Sequence, residues 1–171
     1  MKSAFFRGFI DGSLSTLGIV IGASSASTPV IVAAAIGGTL ANSISNLLSA
    51  FSAERVNEYE KLRQVEQALV TKSLKNTVKE HRILTNTFKK GGIDGIATML
   101  GGIIPVFPYL FFNNSRVFLI STGLVVMLIG IFGIYIGKVS RKNLLLSGIK
   151  MAVFGLLVAT LVYLLQLFII P

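Results

Sequence analysis

Apolar residues run along this chain in five long stretches, roughly Phe9–Ser25, Pro29–Ala53, Gly92–Phe112, Val117–Gly137 and Leu144–Ile170. Each approaches or exceeds the about 20 helical residues that cross a bilayer core. The pattern therefore predicts an all-α integral membrane protein with five transmembrane helices. The first stretch is the shortest and is rich in Gly and Ser. Beyond the second, Val56, Tyr59, Leu62, Val65 and Leu69 recur at helical spacing, which predicts that helix 2 continues past the membrane as an amphipathic extension. A second helical stretch, Leu74–Phe88, leads back. The chain thus divides into residues 1–53 (helices 1 and 2), 54–90 (an amphipathic extension or hairpin) and 91–171 (helices 3–5). The middle segment is too small to have a core of its own, so there is one membrane domain.

Composition supports this reading. Fifty-three per cent of residues are hydrophobic and 13% are charged, where a soluble domain carries about 25% charged residues. Mean hydropathy is +0.77. An ordinary soluble enzyme, a coiled coil and a disordered chain all fit poorly. The absence of cysteine excludes disulfide scaffolds, zinc-thiolate sites, iron–sulfur clusters and thiol nucleophiles.

The net charge of +9 would point to nucleic acid in a polar protein, but the positions of the charges point elsewhere. Lys2 and Arg7 precede helix 1, and a further group lies between Arg55 and Lys90. Lys138, Arg141, Lys142 and Lys150 cluster between helices 4 and 5. Only Arg116 falls on the connections of the opposite face. Such a bias marks the cytosolic side. It predicts a cytosolic N-terminus, a cytosolic segment 54–90, an external C-terminus and no nucleic-acid partner. Asp11 inside the first apolar run argues against a cleaved signal peptide. With no transit signal, the expected location is a prokaryotic cell membrane. His81, the sole histidine, reads as solvated, since no second His or Cys can complete a site with it.

An internal repeat runs at an offset of 83 residues. Gly8-Phe9-Ile10-Asp11-Gly12 followed by Leu17-Gly18 matches Gly91-Gly92-Ile93-Asp94-Gly95 followed by Leu100-Gly101, with Ser15 aligned to Thr98. Residues 8–25 and 91–108 then form a parallel repeat, an arrangement known among transporters. Asp11 and Asp94 are the only acidic residues in the spans. One reading makes each a helix N-cap, where Asp accepts backbone N–H bonds. The other makes each the head of a polar face. Asp11, Ser15, Gly18, Gly22 and Ser25 share one face of helix 1, and Asp94, Thr98, Gly101, Pro105 and Pro108 share one face of helix 3. On helix 2, Thr39, Asn42, Asn46, Ser49 and Ala53 form a stripe with Ser45 and Ser52 beside it. Glycine alone would mean close packing; two asparagines and a carboxylate suggest a hydrated path lined by oxygen. Such a lining suits hard or borderline divalent cations. Pro105 is expected to break the ladder of helix 3 and free carbonyls.

The chain resembles the vacuolar iron transporter family. The resemblance lies in Asp11-Gly12 with Gly18 and Gly22 in helix 1, and in the Gly37–Asn46 run of helix 2 leading into Phe51-Ser52-Ala53-Glu54. It continues in the Gly101–Tyr109 run of helix 3, with Pro105 and Pro108, and in Ser147-Gly148 with Lys150-Met151 entering helix 5. It implies five spans, a homodimer with the ion path at its interface, and metal–proton antiport out of the cytosol. Fe²⁺ or Mn²⁺ would be substrate, protons the coupling ion, and no cofactor permanently bound. Asp11 corresponds to the family's translocation aspartate. A methionine of the family's second span falls on Asn46, and an acidic residue of plant-type members falls on Gly38. The family's cytosolic metal-binding region is reduced to residues 54–90.

The resulting expectation is a metal/translocation path of Asp11, Asn42, Asn46, Ser15 and Ser45. Gly18 and Gly22 would let helices 1 and 2 approach, with Gly101 and Pro105 packing and kinking helix 3. Asp94 is a possible second acidic site, and Glu54 with Glu58 a possible cytosolic metal site or, alternatively, a solvated face paired with Arg55, Lys61 and Arg63. The rival is a transport-inactive membrane scaffold or regulator whose basic hairpin binds a partner or anionic lipid. An enzyme fits least, because no carboxylate pair, His or Cys sits at catalytic spacing within one span.

Overall fold

A computed structural model describes residues 2–68, 78–112, 114 and 116–169, without the side chains of residues 66, 68 and 78–84. Leu69 and Leu74 of the predicted hairpin lie outside the described residues, as does the side chain of His81. Among the described residues all long elements are helical: α1 (Lys2–Gly22), α2 (Thr28–Ala68), α3 (Val78–Val106), α4 (Val117–Val139) and α5 (Leu144–Ile169), with a 3₁₀ turn at Phe107–Leu110. All five helices are long and apolar enough to span a membrane. The chain is a multi-pass membrane protein.

Two helices begin earlier than their apolar patterns suggest. Helix α1 starts at Lys2 rather than Phe9, because its first turns find partners on α4: Phe6 and Phe9 lie 5.2 and 4.8 Å from the ring of Phe132. Helix α3 runs unbroken through Gly91-Gly92. A glycine in a helix interior costs about 1 kcal/mol, but here it brings two backbones together. A Cβ at Gly91 would lie 3.0 Å from the Leu47 carbonyl, and one at Gly95 would lie 3.0 Å from that of Ser43. Asp11 and Asp94 are therefore both well inside helices, and the N-cap reading fails for both.

Helix α2 extends as expected, its 41 residues making a rod of about 60 Å, twice the hydrocarbon thickness of about 30 Å. In the extension Leu62 is buried while Val56 is exposed.

Helices α1 and α3 are the centre of the bundle, and they run parallel. A methyl on Gly8 would strike the Asp94 carbonyl, one on Gly12 the Thr98 carbonyl, and one on Gly101 the Phe9 carbonyl. Small residues that let backbones touch are the usual substitute for a hydrophobic drive between helices in lipid. The close approach expected of Gly18 and Gly22 is absent. Both face Val162 of α5 at 3.8 Å, an ordinary contact. The reason is rotational: positions 8 and 12 point to α3, whereas 18 and 22 have turned away towards α5. Helices α4 and α5 form a hairpin closed by Gly133 and Gly148. Leu17, Ile21, Val125, Ile129 and Ala159 make a core between α1, α4 and α5.

The helix ends sort into two faces. Lys2, the Glu54–Lys90 pair and the α4–α5 turn lie at one, basic end. At the other, Gln166 of α5 accepts from Ser24 Oγ (3.0 Å) and donates to Ser25 Oγ (2.8 Å), clamping the α1–α2 turn. At the basic end, α4 terminates with Lys142 N–H on the Gly137 carbonyl (2.9 Å) and Arg141 N–H on Lys138 (3.3 Å), around Arg141 at φ 53°. This left-handed closure is the place where helices favour glycine. Arg141→Gly should stabilise the fold by about 1 kcal/mol, the scale of the left-handed penalty, read as a rise in thermal unfolding midpoint in detergent.

Candidate functional site

Asp11, on the third turn of α1, faces α2. Its Oδ2 accepts from Asn42 Nδ2 at 3.0 Å and from Asn46 Nδ2 at 2.6 Å. Residues 42 and 46 are one turn apart on α2, so both amides reach the same oxygen. Asn42 Nδ2 also donates to Ser15 Oγ (2.8 Å), one turn along α1 from Asp11. Asn46 Nδ2 donates to Thr98 Oγ1 of α3 (2.9 Å). Four of the five expected path residues thus meet in one cluster, with Thr98 as a fifth member. Asp11 and Ser15 are exposed and the two asparagines half-buried, so the cluster opens on the outer surface of the single chain.

Ser45 is placed elsewhere. It is exposed, and one residue from Asn46 turns a side chain by about 100°, onto the face of α2 with Ile44 and Leu48, which are 61% and 57% exposed. The neighbouring Ser43, not singled out by the sequence, instead turns inward and donates to the Gly95 carbonyl (2.7 Å).

A second set of hydroxyls serves packing. Pro105 cannot donate to the carbonyl of Gly101; that oxygen lies 3.1 Å from Ser13 Oγ, whose single hydrogen is shared with the Phe9 carbonyl at 2.8 Å. The Pro105 carbonyl in turn accepts from Ser121 Oγ (2.7 Å). Pro105 is the penultimate residue of α3, and the carbonyls of Gly101 and Pro105 face the hydroxyls of Ser13 and Ser121 rather than a free cavity. Thr16 and Thr39 share a 2.7 Å hydrogen bond, and Thr39 donates to the Ala35 carbonyl. These bonds close the α1–α2–α3 interface beyond Asn42.

The two aspartates of the repeat have different surroundings. Asp94 is buried, and its Oδ1 accepts from Arg7 Nε at 3.1 Å. An ion pair fills the possible second acidic site, so Asp11 is the one span carboxylate among the described residues without a cationic partner. Because Arg7 is itself 58% exposed, the pair is better solvated than a fully buried one. Truncating Arg7 leaves a buried carboxylate unpaired, a loss of about 1–3 kcal/mol. Arg7→Gln should lower the unfolding midpoint in detergent, and Arg7→Gln with Asp94→Asn should recover most of the loss.

On the extension, Glu54 and Glu58 each have a lysine partner. Glu54 pairs with Lys90 of α3 (2.7 Å) and Glu58 with Lys61 (2.9 Å), while Arg55 lies over the Tyr59 ring. Among the described residues no three His, Cys, Asp or Glu side chains come together. Of the pairings expected for a charged face, Glu58 with Lys61 is present, while Glu54 pairs with Lys90 rather than with Arg55 or Arg63.

Chemically the Asp11 cluster offers one carboxylate, two amide oxygens available by rotation, and two hydroxyls. This is a hard donor set for a cation of the Mn²⁺ or Mg²⁺ kind. Met99 contributes no sulfur to it; that side chain lines an apolar groove with Ile36, Leu40 and Phe107.

Comparison with known proteins agrees with the resemblance. A sequence profile described as the VIT family matches residues 50–166. An uncharacterised protein of the archaeon Methanocaldococcus jannaschii is 41% identical over 163 residues, covering 94% of this chain and 85% of that relative.

Proposed function

The chain belongs to the VIT family of membrane metal-ion transporters, and from that premise we propose that it moves a divalent cation, Fe²⁺ or Mn²⁺, out of the cytosol in exchange for protons. The basic end of the bundle is the cytosolic one. The observation that carries the proposal is the Asp11 cluster, a carboxylate with two asparagines, open on the outer face of a span. Facing lipid, such a group costs at least about 2.5–3.5 kcal/mol at mid-helix. A second copy covering the cluster would remove that cost and bring a second carboxylate to it. Two carboxylates then match a divalent charge, which one alone does not. Asp11 is also the group available to exchange a proton for the metal, because Asp94 is committed to Arg7. Asn42 and Asn46 are neutral oxygen ligands, and Ser15 lines the path. Among the metals, the lack of a thioether at the cluster favours Mn²⁺ over softer ions.

One observation favours the scaffold reading. The carboxylates of Glu54 and Glu58 are each paired with a lysine, so among the described residues this pair offers no separate site to load metal. Calorimetric titration separates the two. A transporter binds Mn²⁺ saturably at micromolar levels, with one ion per two chains. A scaffold shows no saturable binding. The natural lack of cysteine supplies a second test. Ser45→Cys, on the uncovered face of α2, should cross-link between copies if that face meets its symmetry mate.

A further inference from the structure

Asn42 and Asn46 approach Asp11 in the same manner, and each is backed by a hydroxyl whose own hydrogen is already used. Ser15 Oγ donates to the Gly12 carbonyl (3.2 Å) and so accepts from Asn42 Nδ2 (2.8 Å). Thr98 Oγ1 donates to the Asp94 carbonyl (2.8 Å) and so accepts from Asn46 Nδ2 (2.9 Å). A hydroxyl has a single hydrogen. Once that hydrogen is given to the main chain, only the nitrogen end of an amide can satisfy the oxygen. The second hydrogen of each amide goes to Asp11 Oδ2, and each amide oxygen is thereby turned away from the carboxylate. Ser15 and Thr98 are the aligned positions of the repeat at residues 8–25 and 91–108. The two repeat units therefore supply the same part, a carbonyl-anchored hydroxyl, to two successive asparagines of α2.

We infer that Ser15 and Thr98 are positioning residues that hold Asn42 and Asn46 as hydrogen-bond donors to Asp11, so that the amides compete with a cation for the carboxylate and become ligands only by turning over. The inference rests on the reading of Asp11 as the cation site. Its mechanistic content is a cost built into loading. A cation arriving at Asp11 must displace two N–H donors and break their bonds to the hydroxyls. When the cation leaves, the hydroxyls restore the donor orientation. The site is thereby biased towards release, as a transport site requires and a storage site does not.

The direction of the effect distinguishes positioning from packing. Loss of packing weakens binding; loss of the hydroxyl lets the amide present its oxygen and tightens it. In the full chain in detergent, titrated with Mn²⁺ alone, Thr98→Val and Ser15→Ala should each lower Kd by about three- to tenfold, the range of one net hydrogen bond. Thr98→Ser should restore the wild-type value. An unchanged or weaker Kd in the folded variants would overturn the inference. Ser15 is exposed, so Ser15→Ala remains a test if Thr98→Val does not fold. A metal-free measurement stands beside it: hydrogen exchange of the side-chain amides in ¹⁵N-asparagine-labelled protein. Exchange should accelerate at Asn42 alone in Ser15→Ala and at Asn46 alone in Thr98→Val. If the wild type binds no Mn²⁺, the transport reading fails, and this exchange pattern decides the positioning inference by itself. Equal exchange in the variants and the wild type overturns it.

Discussion

Asp11→Asn abolishes saturable Mn²⁺ binding while leaving the fold intact. The substitution keeps the shape and removes the charge. Two unit charges 4 Å apart interact by about 4 kcal/mol at an effective dielectric of 20, and a divalent ion doubles that for each carboxylate. Even after desolvation takes back most of it, the loss exceeds about 2.7 kcal/mol, a hundredfold in Kd. The fold survives because Asp11 is exposed and its partners are amides. Asn42 or Asn46 can still donate to the oxygen of a new asparagine. Calorimetry gives the binding, and the unfolding midpoint of the same sample shows that the protein is intact. Binding at wild-type strength in this variant would remove Asp11 from the path.

The second large effect falls on stability. Gly12→Ala places a methyl against the main-chain carbonyl and Cα of Thr98, with the Thr98 Cα 2.9 Å away. Neither is a flexible side-chain end that can move aside, so α1 and α3 must separate. Overpacking of this kind costs about 1–3 kcal/mol, more than the gain of about 1 kcal/mol from replacing glycine by alanine in a helix. Gly18→Ala is the matched control. Its nearest neighbour is Val162 at 3.8 Å, so the helix gain is kept and the variant is as stable as the wild type or more so. Unfolding midpoints in detergent should therefore move in opposite directions for two glycines of the same helix.

What could be read from the sequence divides along a physical line. Hydropathy over 20 residues is a property of a segment, and it locates all five spans. Helical periodicity is a property of one face, and it brings Asp11, Ser15, Asn42 and Asn46 to a common place. It also carries the continuation of α2 beyond the membrane. Facts about partners were out of reach. Arg7 and Asp94 are 87 residues apart, and nothing local distinguishes Asp94 from Asp11. Gly91 gives no local sign of its role, which is to let α3 press against α2 at Leu47 and Phe51. The same holds for Pro105: the Gly101 carbonyl it leaves without a main-chain donor faces Ser13, 88 positions earlier in the chain. Ser45 and Ser43 flank the stripe equally in sequence, and only the rotation of α2 against α3 sends one outward and the other to Gly95. The repeat aligns Ser15 with Thr98, and that alignment is the signal in the sequence for Thr98 as a member of the site.

The central claim is that a divalent cation crosses at Asp11 in exchange for protons. It is tested by reconstituting wild type and Asp11→Asn in proteoliposomes and following Mn²⁺ accumulation under an imposed pH gradient. The account predicts saturable accumulation by the wild type that collapses when a protonophore removes the gradient, and none above empty vesicles by Asp11→Asn. Equal accumulation by both proteins, or none by either, would contradict it.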